Sequence, residues 1–194
     1  SDVCSSDLDP VPVWAQEKIP GADSIWAPDI RKVGNRWHLH YSVSTLGSQR
    51  SVLGLATTEA LDPAHPKGGW KDQGLVLSSE TGKDPYNALD SSVCLDETGK
   101  PWMVWGSYFS GIFLAEADAA TGKLFPGARH HHVATRAPGN GLQGNPGPGI
   151  EGPVIIRKNG RFYLFVSLAD QIHYHVVVGR ADRITGPYLD RMGK

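Results

Sequence analysis

Three stretches of this chain repeat one pattern at a fixed interval, and that repeat limits the fold more than any other feature of its 194 residues. Each opens on an acid, runs through a short strand-like segment into a glycine-containing turn, and continues into an aromatic-led strand that closes on serine. Asp29 leads to Gly34-Asn35, Trp37 and Ser42. Asp90 leads to Thr98-Gly99-Lys100, Trp102 and Ser107, and Glu151 leads to Asn159-Gly160, Phe162 and Ser167. The acids stand 61 residues apart in both intervals. A period of this size marks stacked supersecondary units, none of which buries its apolar face alone.

The local chemistry of each unit is that of strands. The turn residues tolerate the positive φ of tight hairpins. Trp37, Leu39 and Tyr41 alternate with polar neighbours, the period of two that a half-buried strand requires. Phe162–Val166 is an unbroken apolar run, which predicts a strand covered on both faces. A third strand follows in each unit, over Val52–Ala56, Gly111–Ala117 and His173–Arg180. No segment carries a long helical period. The fold expected is all-β, a β-propeller built from four-stranded antiparallel blades, with about three blades present. Propellers close with about four to eight, so residues 9–194 are expected to be part of a longer propeller domain.

Composition narrows the function. Nineteen basic against twenty acidic residues, without a basic run, give no footprint for nucleic acid or an anionic membrane. No stretch approaches the roughly 20 apolar residues of a membrane span. Two cysteines cannot frame a disulfide scaffold or a zinc site; Cys94, in the apolar run Val93-Cys94-Leu95, reads as a small buried hydrophobe. The opening Ser1–Leu8 resembles a translated sequencing adapter and is set aside as non-native, with Cys4. No signal peptide is evident.

In a propeller the first strand of every blade lines the central axis, so three equivalent acids would converge on one volume. Glycoside hydrolysis needs such convergence: one carboxylic acid protonates the leaving oxygen and one carboxylate activates water or attacks. Neighbouring carboxylates also raise each other's proton affinity. A lone acid beside a turn is usually a cap or an ion-pair partner; three in register favour catalysis.

The motifs around these acids make the reading specific. Trp26-Ala27-Pro28-Asp29-Ile30, Asn87-Ala88-Leu89-Asp90 and Gly149-Ile150-Glu151-Gly152-Pro153 resemble, in order and spacing, those of glycoside hydrolase family 43, nearest to its endo-1,5-α-L-arabinanases. Gly99–Val104 and Gly106-Ser107-Tyr108 add to the likeness, which runs from about Val13 to the C-terminus. The resemblance implies a five-bladed propeller that hydrolyses arabinan, the arabinose polymer of pectin side chains, with inversion. It implies Glu151 as general acid and Asp90 as the carboxylate that tunes the pKa of that acid. A charged Asp90 is expected to hold Glu151 protonated near neutral pH. Asn87, Ser107, Trp26, Asp29 and Gly54 are the implied substrate-site residues.

One role is unfilled. The family's general base belongs one repeat before Asp29, upstream of residue 1; Asp9-Pro10 is a poor stand-in. The fragment itself is therefore expected to be inactive. The family's axial metal, calcium in a complete propeller, is associated with a histidine beyond Lys194, so no cofactor is expected in this chain. The resemblance further implies a secreted or periplasmic protein acting as a monomer on polysaccharide. His38/His40, His130–His132 and His173/His175 lack a third ligand motif, so metal binding there is not expected. The glycine- and proline-rich stretch 137–149 lacks the lysine and helix of a phosphate loop; it reads as a surface loop beside Glu151. A related arabinofuranosidase or xylosidase is one alternative; the rival class is a noncatalytic propeller that binds sugar or protein. It would need aromatic surfaces but no converging carboxyls.

Overall fold

The computed structural model describes residues 11–66, 68–136, 149–169 and 173–194. Cys4, Asp9 and most of the glycine- and proline-rich stretch lie outside them. Three antiparallel sheets follow one another along the chain. The first is β1 (Trp26–Val33), β2 (Arg36–Val43), β3 (Ser51–Thr58) and β4 (Lys71–Ser79), in spatial order β1-β2-β3-β4. The second is β5 (Ser92–Leu95), β6 (Pro101–Trp105), β7 (Ile112–Glu116) and β8 (His131–Ala134), in order β5-β6-β7-β8. The third holds β9 (Gly149–Lys158), β10 (Arg161–Ala169) and β11 (Tyr174–Ala181), hydrogen-bonded in sequence order. Up-and-down sheets repeating in this way are propeller blades, and the three predicted units map onto them in order.

The blades are held together by the apolar faces the repeat left unsatisfied. Leu53, Val76 and Leu77 of the first sheet pack against Val93, Met103, Trp105, Phe113 and Ala115 of the second. Cys94, Trp102, Val104, Ile112 and Leu114 on the other side of that sheet meet Ile150, Ile155, Phe162, Leu164 and Val166 of the third. Large side chains such as Trp105, Met103, Ile112 and Leu114 are fully buried at these two interfaces; each contributes about 1.5–3 kcal/mol through burial. A six-residue helix, α1 (Val13–Lys18), covers the outer face of the first sheet. Its Ala15, together with Ile19, Ala22 and Ile25, packs on Tyr41, Val43, Val52 and Ala56. No described helix is long and apolar enough to cross a membrane.

Two sequence readings change here. His38 and His40 do not line a solvent face; they are buried, at 3% and 0% exposure. His40 Nε2 bonds the Gly122 carbonyl at 2.9 Å, so the polar positions of β2 face the second sheet rather than water. The apolar run Phe162–Val166 is covered on one face only among the described residues. Phe162, Leu164 and Val166 are buried, whereas Tyr163 and Phe165 share a half-open face with exposed Ile156 and Val178. An unbroken apolar run does not separate these cases.

Candidate active site

The repeat's acids and serines are the contacts by which each blade engages the next. Asp29 lies inside β1, and its Oδ2 accepts the Val93 N–H at 3.1 Å while Oδ1 accepts the Ser92 hydroxyl at 3.4 Å. Asp90 sits one blade on, in the left-handed region at φ 57°, just before β5. Its N–H donates to Ser42 Oγ at 3.1 Å, and its Oδ2 accepts the Gly152 N–H at 3.1 Å. Glu151 is the third residue of β9. The Ser107 hydroxyl donates to its Oε2 at 2.9 Å and the Tyr174 hydroxyl to its Oε1 at 3.0 Å. The closing serine of one blade thus meets the acid of the following blade twice over, which accounts for both ends of the repeated pattern.

Asp90 and Glu151 open into one cavity of about 490 Å³, within the range of small-ligand sites. Trp26, Asn87 and Ser107 also line it, with Tyr108 and the 45–48 turn. Burial pushes the Asp90 carboxyl up to about 6, and the neighbouring Glu151 charge adds to it, against the opposing Gly152 hydrogen bond. The Glu151 charge acts on Asp90 as expected of two carboxyls in one cavity, but burial of Asp90 is the larger cause.

The remaining candidate residues divide. Trp26 borders the cavity and anchors its indole N–H on Ser24 Oγ at 3.0 Å. Asn87 borders it too, but its amide is occupied: Oδ1 accepts the Ser51 hydroxyl at 2.6 Å and Nδ2 donates to the Ser48 carbonyl at 3.3 Å. It braces the 45–48 turn more than it offers a free hydrogen bond. Ser107 serves Glu151. Asp29 is not among the cavity residues, because its carboxylate is held by the second blade's first strand. Gly54 is also absent from the lining. An added Cβ there would stand 2.3 Å from the Tyr41 ring, so the residue is required by packing inside the first blade.

Sequence reasoning missed two parts of the wall and one contact of Glu151. Tyr108 and Phe109 both take positive φ, 56° and 47°, in a tight turn between Gly106 and Gly111. A Cβ on either glycine would lie 2.3 Å from a carbonyl oxygen, and the Gly106-Ser107-Tyr108 motif was the available signal. Leu46 projects from the 45–48 turn at 95% exposure. Tyr174 reaches Glu151 from β11, where nothing in the sequence distinguishes it from an ordinary strand residue. The run His130–His132 packs: His130 lies edge-on to Trp105 at 4.9 Å between centroids, His131 is near Trp102, and His132 stacks on Phe113 and bonds the Ser110 carbonyl. Among the described residues no group of three or more His, Cys, Asp or Glu side chains forms a metal donor set.

Two carboxyls opening into one cavity at the blade junctions are the arrangement that glycoside hydrolysis requires. The sequence profile of glycosyl hydrolases family 43 matches residues 6–194, and the chain belongs to that family. It is 38% identical over 187 residues to the extracellular endo-α-(1→5)-L-arabinanase 1 of Bacillus subtilis, covering 93% of this chain and 54% of that protein. It is 35% identical over 193 residues to the extracellular exo-α-(1→5)-L-arabinofuranosidase ArbA of Cellvibrio japonicus, covering 94% and 55%. The chain thus spans about half the length of the curated relatives it matches. Among solved structures, the Cellvibrio cellulosa α-L-arabinanase complexed with arabinohexaose superposes with a TM-score of 0.86 at 32% identity, covering 97% of this chain and 62% of that one.

Proposed function

We propose that this chain contributes the general acid and its partner carboxylate to an extracellular hydrolase that cleaves α-1,5-linked L-arabinofuranose polymers with inversion. The observation that carries the reading is the position of Glu151: on the cavity wall, both oxygens held by hydroxyls from two blades, with Asp90 bonded to the backbone of the next residue. Glu151 would protonate the glycosidic oxygen as the bond to the anomeric carbon breaks. Asp90 would govern the protonation of the pair and hold the 151–152 segment in place. Trp26 offers an apolar face for a sugar ring. The described cavity wall presents two carboxyls, both with other roles, so the base that deprotonates the attacking water is a separate group. The substrate class is supported by the endo- and exo-acting arabinan enzymes among the relatives and by the arabinohexaose complex of a structural neighbour. Their extracellular naming supports secretion.

The test is turnover of linear arabinan by the full-length protein and its Glu151→Gln variant. General-acid catalysis is worth about 10²–10⁴-fold, so the variant should lose about that much on arabinan. It should lose far less on an aryl arabinofuranoside whose leaving group needs little protonation. Equal losses on both substrates would remove Glu151 from the role of acid. A protein that binds arabinan without any turnover would support the binding-module alternative.

A further inference from the structure

Tyr174 is the one contact of Glu151 that the catalytic reading leaves without a purpose. Its side chain is not there for burial, being 62% exposed. It stands at the start of β11, opposite Ala169, and Ala169 in turn faces Gly149 on β9. From that register its phenol crosses the width of β10 to donate to Glu151 Oε1 at 3.0 Å. The hydroxyl of Ser167, directly opposite Glu151 in the β9–β10 register, bonds the same phenol oxygen. Side chains from all three strands of the third blade therefore meet around the Tyr174–Glu151 hydrogen bond, while Ser107 of the second blade holds Oε2.

We propose that Tyr174 is a positioning residue for general-acid catalysis, acting through Oε1 of Glu151. The inference rests on Glu151 being the acid. In the chemical step the Glu151 proton passes to the departing sugar oxygen as the carbon–oxygen bond breaks with its electron pair, and the acid becomes a carboxylate. The attacking water loses its proton to the separate base. The phenol keeps its own proton throughout, and its bond to Oε1 strengthens as negative charge develops there, because hydrogen bonds to charged acceptors are roughly twice as strong as neutral ones. Such a bond acts more in the transition state than in the ground state, and it also fixes the plane in which the carboxyl presents its proton.

The test compares the full-length protein with Tyr174→Phe, which deletes only the hydroxyl of an exposed ring. kcat/KM on arabinan should fall roughly five- to twenty-fold, the worth of one such bond. The alkaline limb of the pH–rate profile should move upward by about half to one pH unit, since one donor that favours the charged acid is gone. An aryl arabinofuranoside with a good leaving group should lose less than about threefold, and the melting temperature should not change. An unshifted profile, or an equal loss on both substrates at every pH, would overturn the proposal. Glu151→Gln measured in parallel separates the two readings. If that variant keeps full arabinan turnover, the acid assignment itself fails. If it fails on arabinan while Tyr174→Phe is indistinguishable from wild type, the positioning role alone fails.

Discussion

The Oδ2 atom of Asp90 accepts the Gly152 N–H at 3.1 Å, so the carboxylate that shares the cavity with Glu151 also fastens the second blade to the residue following Glu151. Burial nevertheless makes its charged form costly, lifting its pKa to about 6. Folding therefore takes up a proton between the unfolded value near 3.8 and about 6. The group's contribution is fully present below the lower value and is lost as pH rises through the upper one. Asp90→Asn keeps an acceptor for Gly152 and removes the charge. It should raise stability by about 1–3 kcal/mol at pH 7 and have little effect near pH 4, while lowering activity. Urea unfolding at the two pH values checks this; equal effects at both would refute the buried-charge account.

How much of this was legible in the sequence follows from what repeats. The blades were readable because acid, turn, aromatic and serine recur every 61 residues, and Asp90, Glu151, Trp26, Asn87 and Ser107 do border one cavity. Asp29 was misplaced because the repeat fixes an acid's contact with the next blade, not its access to the cavity. Its carboxylate bonds Val93 and Ser92 as that of Asp90 bonds Gly152, yet only Asp90 reaches the opening. Tyr174 was invisible because its role depends on a cross-strand reach over β10, which no local pattern encodes. His38 and His40 read as the polar face of an ordinary strand because alternation identifies two faces but does not say that a second blade covers the polar one.

Asp29→Ala deletes the acceptor for a backbone N–H and a hydroxyl at the first blade junction. Leaving those donors unpaired should cost about 1.5–3 kcal/mol. Activity per folded molecule should remain near wild type, because the carboxylate is outside the cavity. Thermal melts paired with active-site-normalised kinetics distinguish this from a direct role in catalysis. A hundredfold drop in kcat with unchanged stability would restore Asp29 to the site.

Gly54→Ala tests the packing account of that glycine. The Tyr41 ring above it is fully buried, and its hydroxyl is tied to Asp72 Oδ1 at 2.9 Å, so neither backbone nor ring can yield freely to a methyl group. Overpacking of this kind costs about 1–3 kcal/mol. Tyr41→Phe in the same background frees the ring from Asp72 and should recover part of the loss. A Gly54→Ala protein of normal stability but weakened arabinan binding would instead favour a substrate role.

Acid should loosen the junction between the first two blades through His38 and His40. Burial lowers the pKa of both from the ordinary imidazole value of 6.5, with Arg36 adding to the effect at His38. At His40 the Gly122 carbonyl and Asp29 oppose burial without reversing it. Neither Nδ1 has a partner among the described residues, so a proton added there would be buried without an acceptor. With the folded pKa below the unfolded one, the unfolded chain binds more protons as pH falls below about 6.5, and each histidine can withdraw up to about 1.4 kcal/mol of stability per pH unit. Asp90 works in the opposite sense below about 6, so the net slope is shallower than the two histidines alone would give. His40→Gln isolates the share of His40, because its amide can still donate to the Gly122 carbonyl but does not titrate. Urea midpoints between pH 8 and 5 should decline less steeply in His40→Gln than in wild type. Parallel slopes would mean that the ring titrates no differently in the folded and unfolded chain, and that the acid sensitivity of the junction has another source.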